Sequence, residues 1–212
     1  MESHASNSPS DCDELDIQIC FDYEGLPSEI HDHVFNERFG ADDKNGIRFD
    51  KVLMYVRFPN VDVIRNGRKA PKPRARGRQD MEFFFNWLYA KGVRHILKVE
   101  VEDGGKIPHS DESIQTSLEK IVVEHLDWKK ADLDPRVICQ LSSKADNPSS
   151  SEADTNDEVT GTRNRLREVT LEWSGNSAAL RAWSEPEGLP QLQDLEVVNL
   201  RFPAYSDVSN PR

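Results

Sequence analysis

Histidine, serine and a run of arginines and lysines supply the side chains through which this chain could do chemistry. His31-Asp32-His33 is an H-x-H pair that would grip a metal ion from one face of a strand. Its surroundings, SEIHDHVFNERF, have helical periodicity, so residues two apart point to different sides. No cysteine or third histidine lies near in sequence to complete a ligand set, and no metal is expected there. His109 reads as loop, between Pro108 and Ser110, while His95 and His125 fall within strand-like alternation. For acyl transfer a serine must sit on a sharp strand-to-helix turn, and no G-x-S-x-G elbow exists. Trp173-Ser174-Gly175-Asn176-Ser177 gathers two serines beside a glycine, but a strand end followed by a helix cap accounts for it. Asp103-Gly104-Gly105-Lys106 lacks both the G-x-x-x-x-G-K and the G-x-G-x-x-G spacings that cradle phosphate, and reads as a plain turn. No catalytic residue, metal site or cofactor is therefore assigned.

The strongest local signal for binding is RNGRKAPKPRARGR, residues 65–78. Arg65, Arg68, Lys69, Lys72, Arg74, Arg76 and Arg78 stand there with two prolines and no acid. The whole chain has 27 basic and 38 acidic residues, so 20 bases face those 38 acids outside this loop. Such a loop suits electrostatic docking of an acidic protein partner, with RNA, phospholipid headgroups or a nuclear import receptor as further readings. The bland reading is a solvated insertion loosely paired with the domain's own acids.

The elements that would position these residues alternate between strand and helix. Five segments share one template, in which two residues and then one residue separate three apolar positions. They are Phe49-Val52-Met54, Ile96-Val99-Val101, Val123-Leu126-Trp128, Leu166-Val169-Leu171 and Leu195-Val198-Leu200. Between copies lie helical patterns. Met81, Phe84, Phe85 and Leu88 share one face and Gly92 stops that helix. Ser110, Asp134 and Asn176 are N-cap candidates, with Pro135 at a first helical position. Trp87, Trp128 and Trp183 lie on apolar periodicities and are expected in the core.

This alternation favours an α/β fold with a mostly parallel sheet. Template starts lie 27 residues apart from Ile96 to Val123 and 29 apart from Leu166 to Leu195, within the 20–29 period of leucine-rich repeats. The gap of 43 from Val123 to Leu166 falls to 21 without the 22-residue insertion at 142–163, and the first gap, 47, is too long but contains the basic loop. An irregular leucine-rich-repeat-like stack of strand–helix units is the expected architecture, with a small doubly wound sheet as the alternative.

Residues 1–16 read as a disordered leader and 17–205 as a single domain. Within it, 142–163 (SSKADNPSSSEADTNDEVTGTR) has almost nothing apolar to bury and reads as a disordered insertion. Residues 206–212 read as a tail or the start of a linker. The net charge of -11 argues against non-specific binding to nucleic acid or anionic lipid. Three cysteines without a C-x-x-C pair point to a reducing compartment, the cytoplasm or the nucleus. The polar, acidic N-terminus is not a signal peptide, and no apolar run is long enough to span a bilayer.

One resemblance goes beyond pattern. The strings FNWLYAKGVRHILKV (85–99), PHSDE (108–112), LDWKKADL (126–133), LREVTLEWSGN (166–176) and LRAWS (180–184) resemble the region that precedes the protease domain in fungal intracellular subtilisin-like proteins. The likeness covers about residues 49–202, with the 142–163 segment departing from it in length. A subtilisin-like catalytic domain needs D-[ST]-G, H-G-T and G-T-S-x-A strings, and none occurs here. The resemblance thus implies a non-catalytic interaction or regulatory module. Its alternative is a truncated or split part of such a protease, acting with a separate catalytic domain.

Overall fold

The computed structural model describes residues 17–65, 77–104, 106–143 and 165–202. Its centre is a six-stranded, wholly parallel sheet. The strands are β2 (Cys20–Asp22), β5 (Val52–Phe58), β7 (His95–Val101), β8 (Val122–Ala131), β9 (Glu168–Glu172) and β10 (Val197–Arg201), and they lie in chain order across the sheet. One helix separates each neighbouring pair: α1 (Asp32–Phe39), α2 (Asp80–Ala90), α3 (Asp111–Leu118), α4 (Pro135–Ser143) and α5 (Ser177–Ser184). A doubly wound sheet would reverse strand order at a switch point. The order here never reverses, so that alternative falls. Right-handed crossovers that always add to the same edge leave the helices on one side of the sheet. This is the progression of a solenoid stack.

The apolar template becomes straight rows across the sheet. Ile96 lies opposite Val123, and Val99 opposite Leu126, which is opposite Val169 and then Val198; Val101 lies opposite Trp128. Against these rows pack Met81, Phe84, Phe85 and Leu88 of α2 with Ile114 and Leu118 of α3, all buried. Trp87, Trp128 and Trp183 are buried as expected. In the last unit the pattern outruns its cover: Val198 and Leu200 continue the core rows but stand exposed on edge strand β10.

The first template copy is misplaced by four residues. Leu53, Val56 and Phe58, not Phe49, Val52 and Met54, pair with or lie in register with Ile96, Val99 and Val101. Val52 and Met54 are exposed, Met54 by 51%. A run of apolar residues, VLMYVRF, fits the template in more than one register, and only burial against α2 selects one. Sequence reading also missed an earlier unit. Phe21 on β2 lies opposite Val56 and packs edge-on against Phe39 and Phe49, but polar neighbours hide so short a strand. Two small parallel pairs were missed as well: β1 (Ile17–Gln18) with β4 (Arg48–Phe49), and β3 (Glu29–His31) with β6 (Asp62–Ile64).

Local punctuation mostly follows the sequence. Ser110 Oγ accepts the Ser113 amide at 3.1 Å and Asn176 Oδ1 accepts the Ala178 amide at 3.0 Å. Gly92 stops α2 at φ +90°, a left-handed position that suits glycine. His31 ends β3 and His33 lies inside α1, so the H-x-H pair straddles two elements. The expected insertion at 142–163 begins inside α4, which runs to Ser143; most of the insertion, the leader 1–16 and the tail 206–212 lie outside the described residues.

Candidate functional site: the open face of the sheet

With the helices on one side, the side chains that alternate away from the core rows form an uncovered strand face. Two cross-strand rows define it. One runs Cys20, Tyr55, Lys98, His125, Glu168, Val197 and the other Asp22, Arg57, Glu100, Asp127, Thr170, Asn199. Beyond the second row lie Glu102, Lys129, Glu172 and Arg201. Nearly every residue is polar or charged, the opposite of the core rows one position away.

These groups join across the strands. Arg57 pairs with Glu24 and lies 3.6 Å from Glu100 and 3.9 Å from Glu102. Lys129 Nζ donates to Glu100 at 2.9 Å and to Glu102. The Tyr55 hydroxyl donates to Glu100 at 3.0 Å. Asn199 donates to Glu168 at 2.7 Å, His125 Nδ1 sits 3.2 Å from Glu168, and Arg201 donates to Asp127 Oδ2 at 2.8 Å. Burial and the Glu100 hydrogen bond push the Tyr55 hydroxyl up to about 12. Burial also works to raise Glu100, but hydrogen bonds from Lys129 and Tyr55 outweigh it and hold that carboxyl low. Asp127 and Glu172 go the other way: burial raises both, and the Asp127 charge raises Glu172 further.

The side chains singled out from sequence fall elsewhere. Arg78 is not a free loop charge. Its side chain is 12% exposed, and its guanidinium pairs with Asp62 at 2.6 Å and with the buried Asp80 at 2.9 Å and donates to Asn60 and the Val61 carbonyl. Asp80 in turn accepts the Val63 amide at 2.8 Å, so Arg78 ties the start of α2 to β6. Arg65 is exposed beside a shallow groove with Asn36, Phe83 and Trp87. Arg68, Lys69, Lys72, Arg74 and Arg76 lie outside the described residues. Ser174 donates to Asp132, which holds a left-handed turn at φ 54°, and no histidine bonds to that serine among the described residues. No metal-binding cluster occurs among the described residues either.

One arrangement was not foreseen. Asp103 and His109, from the turn after β7, are a fully buried pair with Nδ1 2.8 Å from Oδ1. Asp103 also accepts the His109 amide at 3.0 and 3.1 Å and the Trp128 indole N–H at 3.0 Å. Gly77, at φ +100°, packs against this loop so closely that a Cβ would lie 2.6 Å from the Pro108 carbonyl oxygen. An Asp–His pair is half of a nucleophile-activating set. Here His109 Nε2 has no hydrogen-bond partner among the described residues, so no serine is engaged by it. With both side chains of the pair at zero exposure, its evident work is to lock the 103–110 loop onto Trp128. The sequence clue was an acid and a histidine bracketing a Gly-Gly turn.

At the C-terminal ends of β8 and β9 an open groove of about 440 Å³ is lined by Asp132, Asp134, Arg136, Trp183, Glu185 and Glu187 among others. Asp134 is occupied by Arg136, whose hydrogen bonds hold its carboxyl below the usual range.

No protein-family model matches the chain, and no curated protein or solved structure matches it. The likeness to the region preceding fungal subtilisin-like proteases therefore rests on the quoted strings alone.

Proposed function

We propose that the chain is a non-catalytic interaction module that docks a protein partner on the open face of its sheet. One observation carries this reading: polar side chains stand in cross-strand register over five helix-bearing units, on the side of the sheet where no described helix lies. A stack of this kind offers an extended, rigid surface whose side chains are ordered before a partner arrives, which lowers the entropy cost of binding. Free Cys20 and Cys139 suit a reducing compartment. A regulatory role beside a separate subtilisin-like catalytic domain fits the same module.

The test is a site-specific photocrosslink. A photoreactive residue in place of Lys98 samples the open face; one in place of Asn86, exposed on α2, samples the helix side. In an extract of the source cells, discrete adducts are expected from position 98 and not from position 86. Equal adducts from both, or adducts from 86 alone, would overturn the reading.

A further inference from the structure

Within the open face, charge compensation is incomplete for two adjoining acids of β8 and β9. In an unbroken β8–β9 ladder, Asp127 opposite Thr170 would put Lys129 opposite Glu172. The register instead jumps, and Ala131 lies opposite Glu172. Four residues of β8 are thus spanned by two of β9, a bulge of the sort that re-aims side chains. It turns Lys129 back toward β7, where its ammonium is engaged by Glu100 and Glu102. Glu172 is left with no salt bridge or side-chain hydrogen bond among the described residues.

Beside it, Asp127 is 5% exposed, and Arg201 satisfies only its Oδ2. Asp127 Oδ1 is buried and has no hydrogen-bond partner. Buried polar oxygens are nearly always paired, so an unpaired carboxylate oxygen next to an unpaired glutamate needs an explanation. The four acids Glu100, Glu102, Asp127 and Glu172 face three cations, Lys129, Arg201 and Arg57, and Arg57 is also engaged by Glu24. The deficit of one positive charge falls on Asp127 and Glu172, at the notch that the register jump makes in the β8–β9 ladder.

We propose that this notch receives an arginine or lysine side chain from a basic segment of the partner, whose cation completes Asp127 Oδ1 and Glu172. A guanidinium matches the site best, because its planar fork can serve two carboxylates at once. The inference rests on the strand face being the docking surface, and it specifies the partner's chemistry there. The surrounding face carries negative charge too, with Asp22, Glu24 and Glu168 along it, so a basic segment would be drawn in as well as held.

The probe is a fluorescein-labelled hexa-arginine peptide, with hexa-glutamate as its opposite, measured by anisotropy at about 0.15 M salt, where the Debye length is about 8 Å. An acidic protein attracts any polycation, so the informative quantity is a difference. Asp127→Asn with Glu172→Gln and Glu37→Gln with Asp43→Asn remove the same charge. The second pair lies on α1 and the loop after it, away from the open face. The notch pair is expected to weaken hexa-arginine binding about tenfold or more, as loss of a charge-assisted site should; the control pair should weaken it less than twofold. Circular dichroism of each variant should match the parent, and Glu172→Gln alone gives a second reading if the pair unfolds. Equal losses from the two pairs, or no binding of hexa-arginine, would overturn the proposal. Binding of hexa-glutamate that depends on Lys98 and Arg201 would also overturn it, while leaving the strand face as the docking surface. Adducts that favour the helix side in the crosslinking experiment would instead remove that surface itself.

Discussion

Replacing Asp103 by alanine should be among the most damaging single changes to the fold. The carboxyl accepts from the His109 amide, His109 Nδ1 and the Trp128 indole, all in a site with no solvent. Asp103→Ala strands three buried donors, each at a cost of about 1–3 kcal/mol. The simple sum overshoots, because removing the acid also removes its own desolvation cost. Breaking a buried side-chain network by deleting its shared acceptor is expected to cost about 3–5 kcal/mol. Against a typical stability of about 5–15 kcal/mol the variant should fold, with a much lower urea midpoint and an unchanged slope. Trp128→Phe then supplies a double-mutant cycle. It removes one of the stranded donors beforehand, so Asp103→Ala should cost about 1–3 kcal/mol less in that background. A loss under about 1 kcal/mol for Asp103→Ala, or costs that add within about 0.5 kcal/mol, would show that these hydrogen bonds do not hold the loop.

The corrected register of β5 predicts that Leu53→Ala lowers stability by about 2–5 kcal/mol while Met54→Ala stays within about 0.5 kcal/mol, read by denaturant midpoint. Trp183→Ala should cost about 3–5 kcal/mol, since the ring is buried and its Nε1 donates to the Leu133 carbonyl at 2.8 Å. The raised carboxyls of Asp127 and Glu172 predict a pH dependence. The folded chain keeps protons that the unfolded chain, with carboxyls near about 4, has released, so their contribution grows as pH falls towards 4 and is lost as pH rises through the raised values. Asp127→Asn with Glu172→Gln should therefore be more stable than the parent at neutral pH, with the gap narrowing towards pH 4 in a urea series.

What the sequence carried best was the part of the fold decided by period and cap. The template from Ile96 onwards lines up across the strands except at Trp128 and Leu171, where the β8–β9 register jumps, because each copy has one apolar register and a helix stop on either side. It failed where the apolar run allowed two registers, at 52–58, and where a unit was too short to show a period, at Phe21. The open face was illegible for a different reason. Lys129 and Glu172 lie in distant segments, and the bulge that separates them is a property of two strands together. Arg78 shows the converse. It reads as one of seven like charges in a loop, yet Asp62 and Asp80 draw it into the structure.

The open face as the docking surface for a basic segment can be tested residue by residue with amide chemical shifts of the labelled chain during titration with hexa-arginine. The largest changes should fall at Glu100, Asp127, Thr170, Glu172 and Arg201, and they should vanish in Asp127→Asn with Glu172→Gln. Changes concentrated on α1 to α5, or spread evenly over the acidic surface and indifferent to those substitutions, would contradict it.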